Sequence, residues 1–109
     1  MRVKDLLEDE IGFEAVTIPD PEREITGGYC GDLLSWVMGK AKEGNAWFTI
    51  MSNINIVAVA TLTDVACIVV TEGVQLSEEI VSTATQKGVN ILSTTMDTFM
   101  AATFLSFTS

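Results

Sequence analysis

Histidine is absent from this 109-residue sequence. A serine-hydrolase triad, a cysteine–histidine nucleophile pair and a histidine-ligated metal site are therefore excluded within one chain. Basic residues are scarce: six Lys and Arg stand against fifteen Asp and Glu, a net charge of −9. Nucleic-acid phosphates and anionic membrane surfaces are held by clustered cations, so neither nucleic acid nor membrane is an expected partner. The two cysteines, Cys30 and Cys67, form no CxxC and are too few for a structural zinc site. Both are expected as reduced thiols in a cytoplasmic protein. GxGxxG and GxxxxGK[ST] are also missing, which argues against a dinucleotide-binding fingerprint and a nucleotide kinase. Met1–Glu10 is charged throughout and lacks the apolar core of a signal peptide. The longest uncharged run, Asn45–Thr63, contains Asn45, Ser52, Asn53 and Asn55, polar groups too costly for a membrane span.

What is present is apolar: 48% of the residues are hydrophobic, enough for one compact domain over residues 1–109. Acidic residues concentrate in Met1–Glu24, whereas Asn45–Thr71 carries only Asp64. That contrast predicts a solvated first layer and a buried middle, as in a sheet covered on both faces. The pattern predicts a short helix over Val3–Leu7 ended by Gly12, a strand over Phe13–Ile18, and a turn at Pro19-Asp20-Pro21. A second strand is expected over Arg23–Thr26, ended by Gly27-Gly28. A helix over Leu33–Lys42 follows, with Asp32 as its N-cap and Gly44 as its stop. Ala46–Met51 then reads as a strand and Asn55–Thr63 as a helix capped by Ser52 or Asn53. Ala66–Val70 is a strand, Ser77–Lys87 a helix capped by Ser77 and stopped by Gly88, and Val89–Leu92 a strand. A last helix capped by Thr95 or Asp97 runs to about Phe104. The apolar Phe99, Met100, Phe104, Leu105 and Phe107 either pack on the sheet or meet a partner chain.

Strand and helix alternate through the second half, which implies parallel strands joined by crossovers. Ligands of open parallel sheets gather at the carboxyl ends of the strands. Four polar clusters fall where those ends are expected: Thr26-Gly27-Gly28-Tyr29, Ser52-Asn53, Thr71-Glu72-Gly73 and Ser93-Thr94-Thr95. Glycine admits close backbone approach, and Ser or Asn at a helix start can hold an anion. The same residue types are also what strand-to-helix turns need simply to turn and cap. Asp32 and Glu72 are the carboxylates best placed for chemistry, yet neither has a partner base in the sequence. Asp32 should oppose thiolate formation at Cys30, and Cys67 should be an inert core thiol.

The stretch Arg23-Glu24-Ile25-Thr26-Gly27-Gly28-Tyr29-Cys30-Gly31-Asp32-Leu33-Leu34 resembles the signature region of the DRTGG domain family. The namesake letters match in Thr26, Gly27 and Gly28; the Asp-Arg pair is not contiguous, with Asp20 and Arg23 just upstream. The downstream order, an apolar strand, Ser52-Asn53, a helix, then Ala66–Val70 and Thr71-Glu72-Gly73, is also similar to that family. The resemblance covers about residues 1–100. It implies a domain similar to the N-terminal domain of bacterial HPr kinase/phosphatase, regulatory or oligomerising, with catalysis in other domains. It further implies a bacterial setting, a signalling or redox-enzyme protein partner, and Arg23 as the residue to look to for an ion pair.

The expected architecture is a three-layer α/β/α fold with a central, mostly parallel sheet. The expected function is a non-catalytic regulatory or ligand-sensing module that forms a homodimer. It would bind a small anionic metabolite or nucleotide through Thr26, Gly27, Gly28, Tyr29, Asp32, Ser52, Asn53, Thr71 and Glu72. No catalytic residue, metal or cofactor is expected. The rivals are a protein-docking module without a small ligand, and a small enzyme using Asp32 or Glu72 on a phosphorylated or carboxylate metabolite.

Overall fold

The computed structural model describes residues 1–8 and 11–105. A short 3₁₀ helix, Val3–Leu7, precedes β1 (Glu14–Thr17) and β2 (Gly27–Cys30). Then come α1 (Leu34–Lys40), β3 (Asn45–Thr49), α2 (Asn55–Thr63), β4 (Cys67–Val70), α3 (Glu78–Lys87), β5 (Ile91–Ser93) and α4 (Thr98–Ala102). The five strands make one sheet in the order β1-β5-β4-β3-β2. β2, β3, β4 and β5 run parallel, and β1 lies antiparallel on β5.

Alternating strand residues face two cores. Trp47, Ile68, Val70 and Ile91 pack with Val37 of α1, Ile56, Val57 and Ala60 of α2, and Ile80 and Ala84 of α3. Ala46, Phe48, Cys67, Val69 and Leu92 pack on the opposite face with Val3, Leu6, Phe13, Ile25 and Ala101 of α4. The architecture is therefore the three-layer α/β/α fold with a mostly parallel sheet that the alternation implies. Burial on both faces explains the near-continuous apolar strands. It also explains why α2 forms despite its β-branched residues: Ile56, Val57 and Val59 are buried, and tertiary packing outweighs intrinsic propensity.

Helix caps follow local chemistry. Ser77 caps α3 by accepting the Ile80 N–H, and Gly88 ends that helix at φ +74°. Asp97 caps α4 by accepting the Met100 N–H. Neither Ser52 nor Asn53 caps α2, whose N-cap is Ile54; Asn53 Oδ1 instead accepts the Asn55 N–H at 2.9 Å, an Asx turn leading into the helix. Ser52 is exposed and makes no side-chain hydrogen bond among the described residues.

Several expectations are corrected. The second strand is Gly27–Cys30, not Arg23–Thr26. The upstream segment is claimed by other contacts: the Ile25 N–H donates to the Met1 carbonyl, and Glu24 bridges Arg2. The glycine pair therefore does not end a strand; it lies inside one. A Cβ on Gly27 would come within 2.9 Å of the Asn45 side-chain amide, and one on Gly28 within 3.2 Å of Leu105. Glycine is used there because neighbours press on an edge strand from both faces. Asp32 is not an N-cap; Leu33 holds that position, because the Asp32 carboxylate is spent elsewhere. The helices that follow Asp32 and Asp97 stop at Lys40 and Ala102, short of their expected ends. Phe104 meets Phe13 edge-on at 6.1 Å and Leu105 packs on the second core, whereas Phe99 is 80% exposed. Phe107 lies outside the described residues.

Arg23 pairs within the chain. Its guanidinium donates to Asp64 Oδ1 at 3.0 Å and to the Asp64 carbonyl at 2.8 Å. Asp64 is the C-cap of α2 in the left-handed region, φ +56°.

Candidate functional site

Four parallel strands end on one side of the sheet, but they succeed one another in space in chain order, β2, β3, β4, β5. Their order never reverses, so among the described residues there is no switch point of the kind at which parallel sheets ordinarily take ligands; a small cavity of about 90 Å³ lies at this edge, where Gly73, Val74 and Gln75 meet Ser93, Thr94 and Thr95. The loops after β3, β4 and β5 close on each other instead. The Thr71 N–H donates to the Thr49 carbonyl at 3.0 Å, the Glu72 N–H to Met96 at 2.8 Å, and the Gly73 N–H to Thr94 at 3.0 Å. The hydroxyls of buried Thr71 and half-buried Thr98 share a 2.7 Å hydrogen bond. Glu72 itself sits at φ +61°.

The structure thus divides the candidate residues. Asp32, Ser52, Asn53, Thr71 and Glu72 stand at the carboxyl ends of strands. Thr26 and Gly27 do not: Thr26 donates its N–H to Gly44, and Gly27 pairs with Asn45, the first residue of β3. They mark the amino end of β2, the opposite side of the sheet. Gly28 and Tyr29 lie within β2. The reason is the four-residue shift of the strand from Arg23–Thr26 to Gly27–Cys30, which moves the Thr26–Tyr29 cluster from the end of a strand to its start and middle.

Asp32 links two strand ends. Its Oδ1 accepts the Thr49 hydroxyl at 2.7 Å and the Ile50 N–H at 2.9 Å. Below it, the Trp47 indole N–H donates to the Gly31 carbonyl at 2.9 Å. These bonds shape the turn after β2 into the wall of an open cavity of about 450 Å³, lined by Tyr29, Cys30, Gly31, Asp32, Leu33 and Trp36. Trp36 and Leu33 are each 59% exposed, and the Lys40 ammonium lies 5.2 Å from the Trp36 ring centroid. A second cavity, about 230 Å³, lies on the other face of β2 among Gly28, Cys30, Phe48, Ala102 and Leu105. From the sequence alone, Leu33 and Trp36 read as apolar positions of the helix expected over Leu33–Lys42 and not as site residues. The Trp36–Lys40 spacing of four residues was the available signal.

Burial, and then the Asp32 carboxylate, push the Cys30 thiol above its ordinary value. Burial pushes the Cys67 thiol up to about 12. At neutral pH an electrophilic thiol reagent should label Cys30 slowly and Cys67 only after unfolding; equal rates in the folded protein would contradict this placement. Asp32 and Glu72 stand at the ends of different strands, with β3 between them. Among the described residues no three His, Cys, Asp or Glu side chains gather closely enough to hold a metal ion. No helix among them is long and apolar enough to cross a membrane.

Comparison with curated proteins gives no match. Among solved structures, the fold is similar to the CBS and DRTGG domains of the regulatory region of Clostridium perfringens pyrophosphatase, complexed with the activator diadenosine tetraphosphate. The TM-score is 0.66 at 21% identity, over 84% of this chain and 40% of that one. The chain thus spans less than half of that regulatory region. The sequence model of the DRTGG domain matches residues 35–107, from the first turn of α1 to beyond α4. That match begins just after the Thr26-Gly27-Gly28 stretch and contains the downstream succession of strands and helices. With the match extending over more than half of its length, the chain belongs to the DRTGG domain family.

Proposed function

We propose that this domain is a non-catalytic regulatory module that pairs with a second copy through β2 and senses a nucleotide or similar small metabolite beside that strand. The observation that carries the reading is the contrast between the two edges of the sheet. β1 has a register irregularity between Ala15 and Thr17 and carries Glu14. β2 keeps an unbroken register with β3, and Gly27–Cys30 contains no charge and no proline. An open edge without such protection is a template for strand pairing. Two β2 strands meeting about a two-fold axis would form a self-complementary interface. Exposed Leu33 and Trp36 on one face and Leu105 on the other would add apolar contact.

The cavity at the carboxyl end of β2 adjoins that edge, so an occupant would bias pairing. Tyr29 and Trp36 offer aromatic faces, and Asp32 has a second carboxylate oxygen for a ligand N–H or O–H. Those features suit a nucleoside-like group. The regulatory region with a related fold carries a dinucleotide activator, which supports the same class of ligand here. The separation of Asp32 from Glu72 and the raised Cys30 thiol support a role without catalysis.

Sedimentation at tens of micromolar should give a dimer mass, and Cys30→Lys should give a monomer with an unchanged far-ultraviolet spectrum. A nucleotide at a hundred times its dissociation constant should stabilise the fold by about 2.7 kcal/mol in a thermal-shift panel. Trp36→Ala should abolish that shift. A monomeric native chain would sink the pairing; a panel without any shift would sink the sensing. One observation favours a second reading, that the same edge receives a strand from another protein: no Lys or Arg lines the cavity beside it. A monomer that shifts with no nucleotide would move the assignment there.

A further inference from the structure

Away from β2, helices α2 and α3 leave an unfilled groove of about 370 Å³. Its α2 wall is uncharged: Ile54, Ala58 and Leu62 recur every four residues along one face, and Leu62 is 73% exposed. At one end stand Thr61 of α2 and Thr83 and Lys87 of α3. Thr61 and Lys87 also line a second cavity, about 110 Å³, at the amino edge of the sheet. The two cavities therefore share a junction, apolar on one side and polar on the other.

The polar cavity has one cation to offer. Arg23 is bound to Asp64, and the buried Asn90 side chain is used by the Asp20 N–H and by the Asp20 and Ala66 carbonyls. Lys87 has no carboxylate partner among the described residues. Asp20 and Asp64 line the same cavity, so a doubly charged head such as phosphate is opposed while a single negative charge at Lys87 is matched.

We infer that the α2–α3 groove is a binding site for a small amphipathic carboxylate, its apolar chain along Ile54, Ala58 and Leu62 and its carboxylate on Lys87. A volume of a few hundred Å³, mostly apolar with one placed polar group, is the usual form of a small-molecule site. The inference is independent of the pairing at β2, because the groove lies on helices that flank the centre of the sheet.

Octanoate and 1-octanol share a chain and differ in charge, and both can be titrated into the ¹⁵N-labelled full chain. Octanoate should shift the amides of Ile54, Ala58, Thr61, Thr83 and Lys87 saturably. Octanol should bind the same amides about tenfold more weakly, the size of one charge-assisted hydrogen bond at an open site. Lys87→Gln should lower octanoate to the octanol affinity. Ala58→Phe, at an exposed position where the fold can tolerate bulk, should abolish both. Three results would overturn the site: shifts confined to other surfaces, no saturable shift at millimolar ligand, or octanoate affinity unaffected by Lys87→Gln. Concentration-dependent broadening of the α2 amides without ligand would likewise overturn it, because a second copy would then cover the groove.

Discussion

Trp47→Ala is expected to cost about 3–5 kcal/mol of folding stability. Trp47 is fully buried in the middle of the sheet, against the core shared by α1, α2 and α3. Truncation opens a cavity that the surrounding strands cannot fill without breaking their ladder. It also removes the indole N–H that holds the Gly31 carbonyl at the turn after β2. Trp47→Phe separates the two effects. It retains much of the apolar volume and loses the hydrogen bond, at about 1–3 kcal/mol. Urea unfolding of both variants measures the difference. A loss below about 1 kcal/mol for Trp47→Ala would mean that this residue does not fill the core. The Phe variant carries a functional consequence as well: with the Gly31 turn released, the cavity wall beside Trp36 loses its support, and any nucleotide-induced thermal shift should shrink.

Gly44→Ala is expected to cost about 2–3 kcal/mol, from two separable causes. Gly44 has φ +81°, a region that costs an L-residue roughly 1–2 kcal/mol. An added Cβ would also overlap the Thr26 hydroxyl. The position cannot relax easily, because the Gly44 N–H donates to the Asp64 carbonyl and its own carbonyl accepts the Thr26 N–H. Asp64 in turn is held by Arg23. The double variant Gly44→Ala with Thr26→Ala should recover the steric part and leave the backbone part, a non-additivity that a double-mutant cycle reads directly. Strict additivity of the two substitutions would show that the Thr26 side chain does not press on this turn. The result bears on the family signature: it would give Thr26 a packing role at the amino end of β2.

The candidate site was legible only in part. Thr71 stands out because it follows an apolar run and Asp32 because it follows a glycine-bearing segment, and both do stand at strand ends. What they do there is internal: Asp32 secures Thr49 and Ile50, and Thr71 secures Thr98. A polar residue in a turn is equally suited to a ligand and to its own loop, and one sequence cannot say which partner it meets. Thr26 and Gly27 were misplaced because the glycine pair reads as the end of a short strand over Arg23–Thr26, whereas strand pairing selected Gly27–Cys30. Two glycines read locally as a turn; only the neighbouring Asn45 and Leu105 side chains reveal why glycine can sit within an edge strand.

Local signals did determine much. Ser77, Gly88 and Asp97 marked helix ends correctly, because a cap is decided by residues three or four positions away. The apolar runs of β3, β4 and β5 announced burial on both faces, and their alternation with helices announced a parallel sheet. The absence of histidine and the scarcity of cations excluded whole classes of chemistry without any coordinates. The order of the strands, the closing of the carboxyl-end loops, the edge position of β2 and the groove that Lys87 lines were decided only by tertiary structure. Each depends on which distant segments meet, and the free energy of those meetings is not written in the local pattern of any one of them.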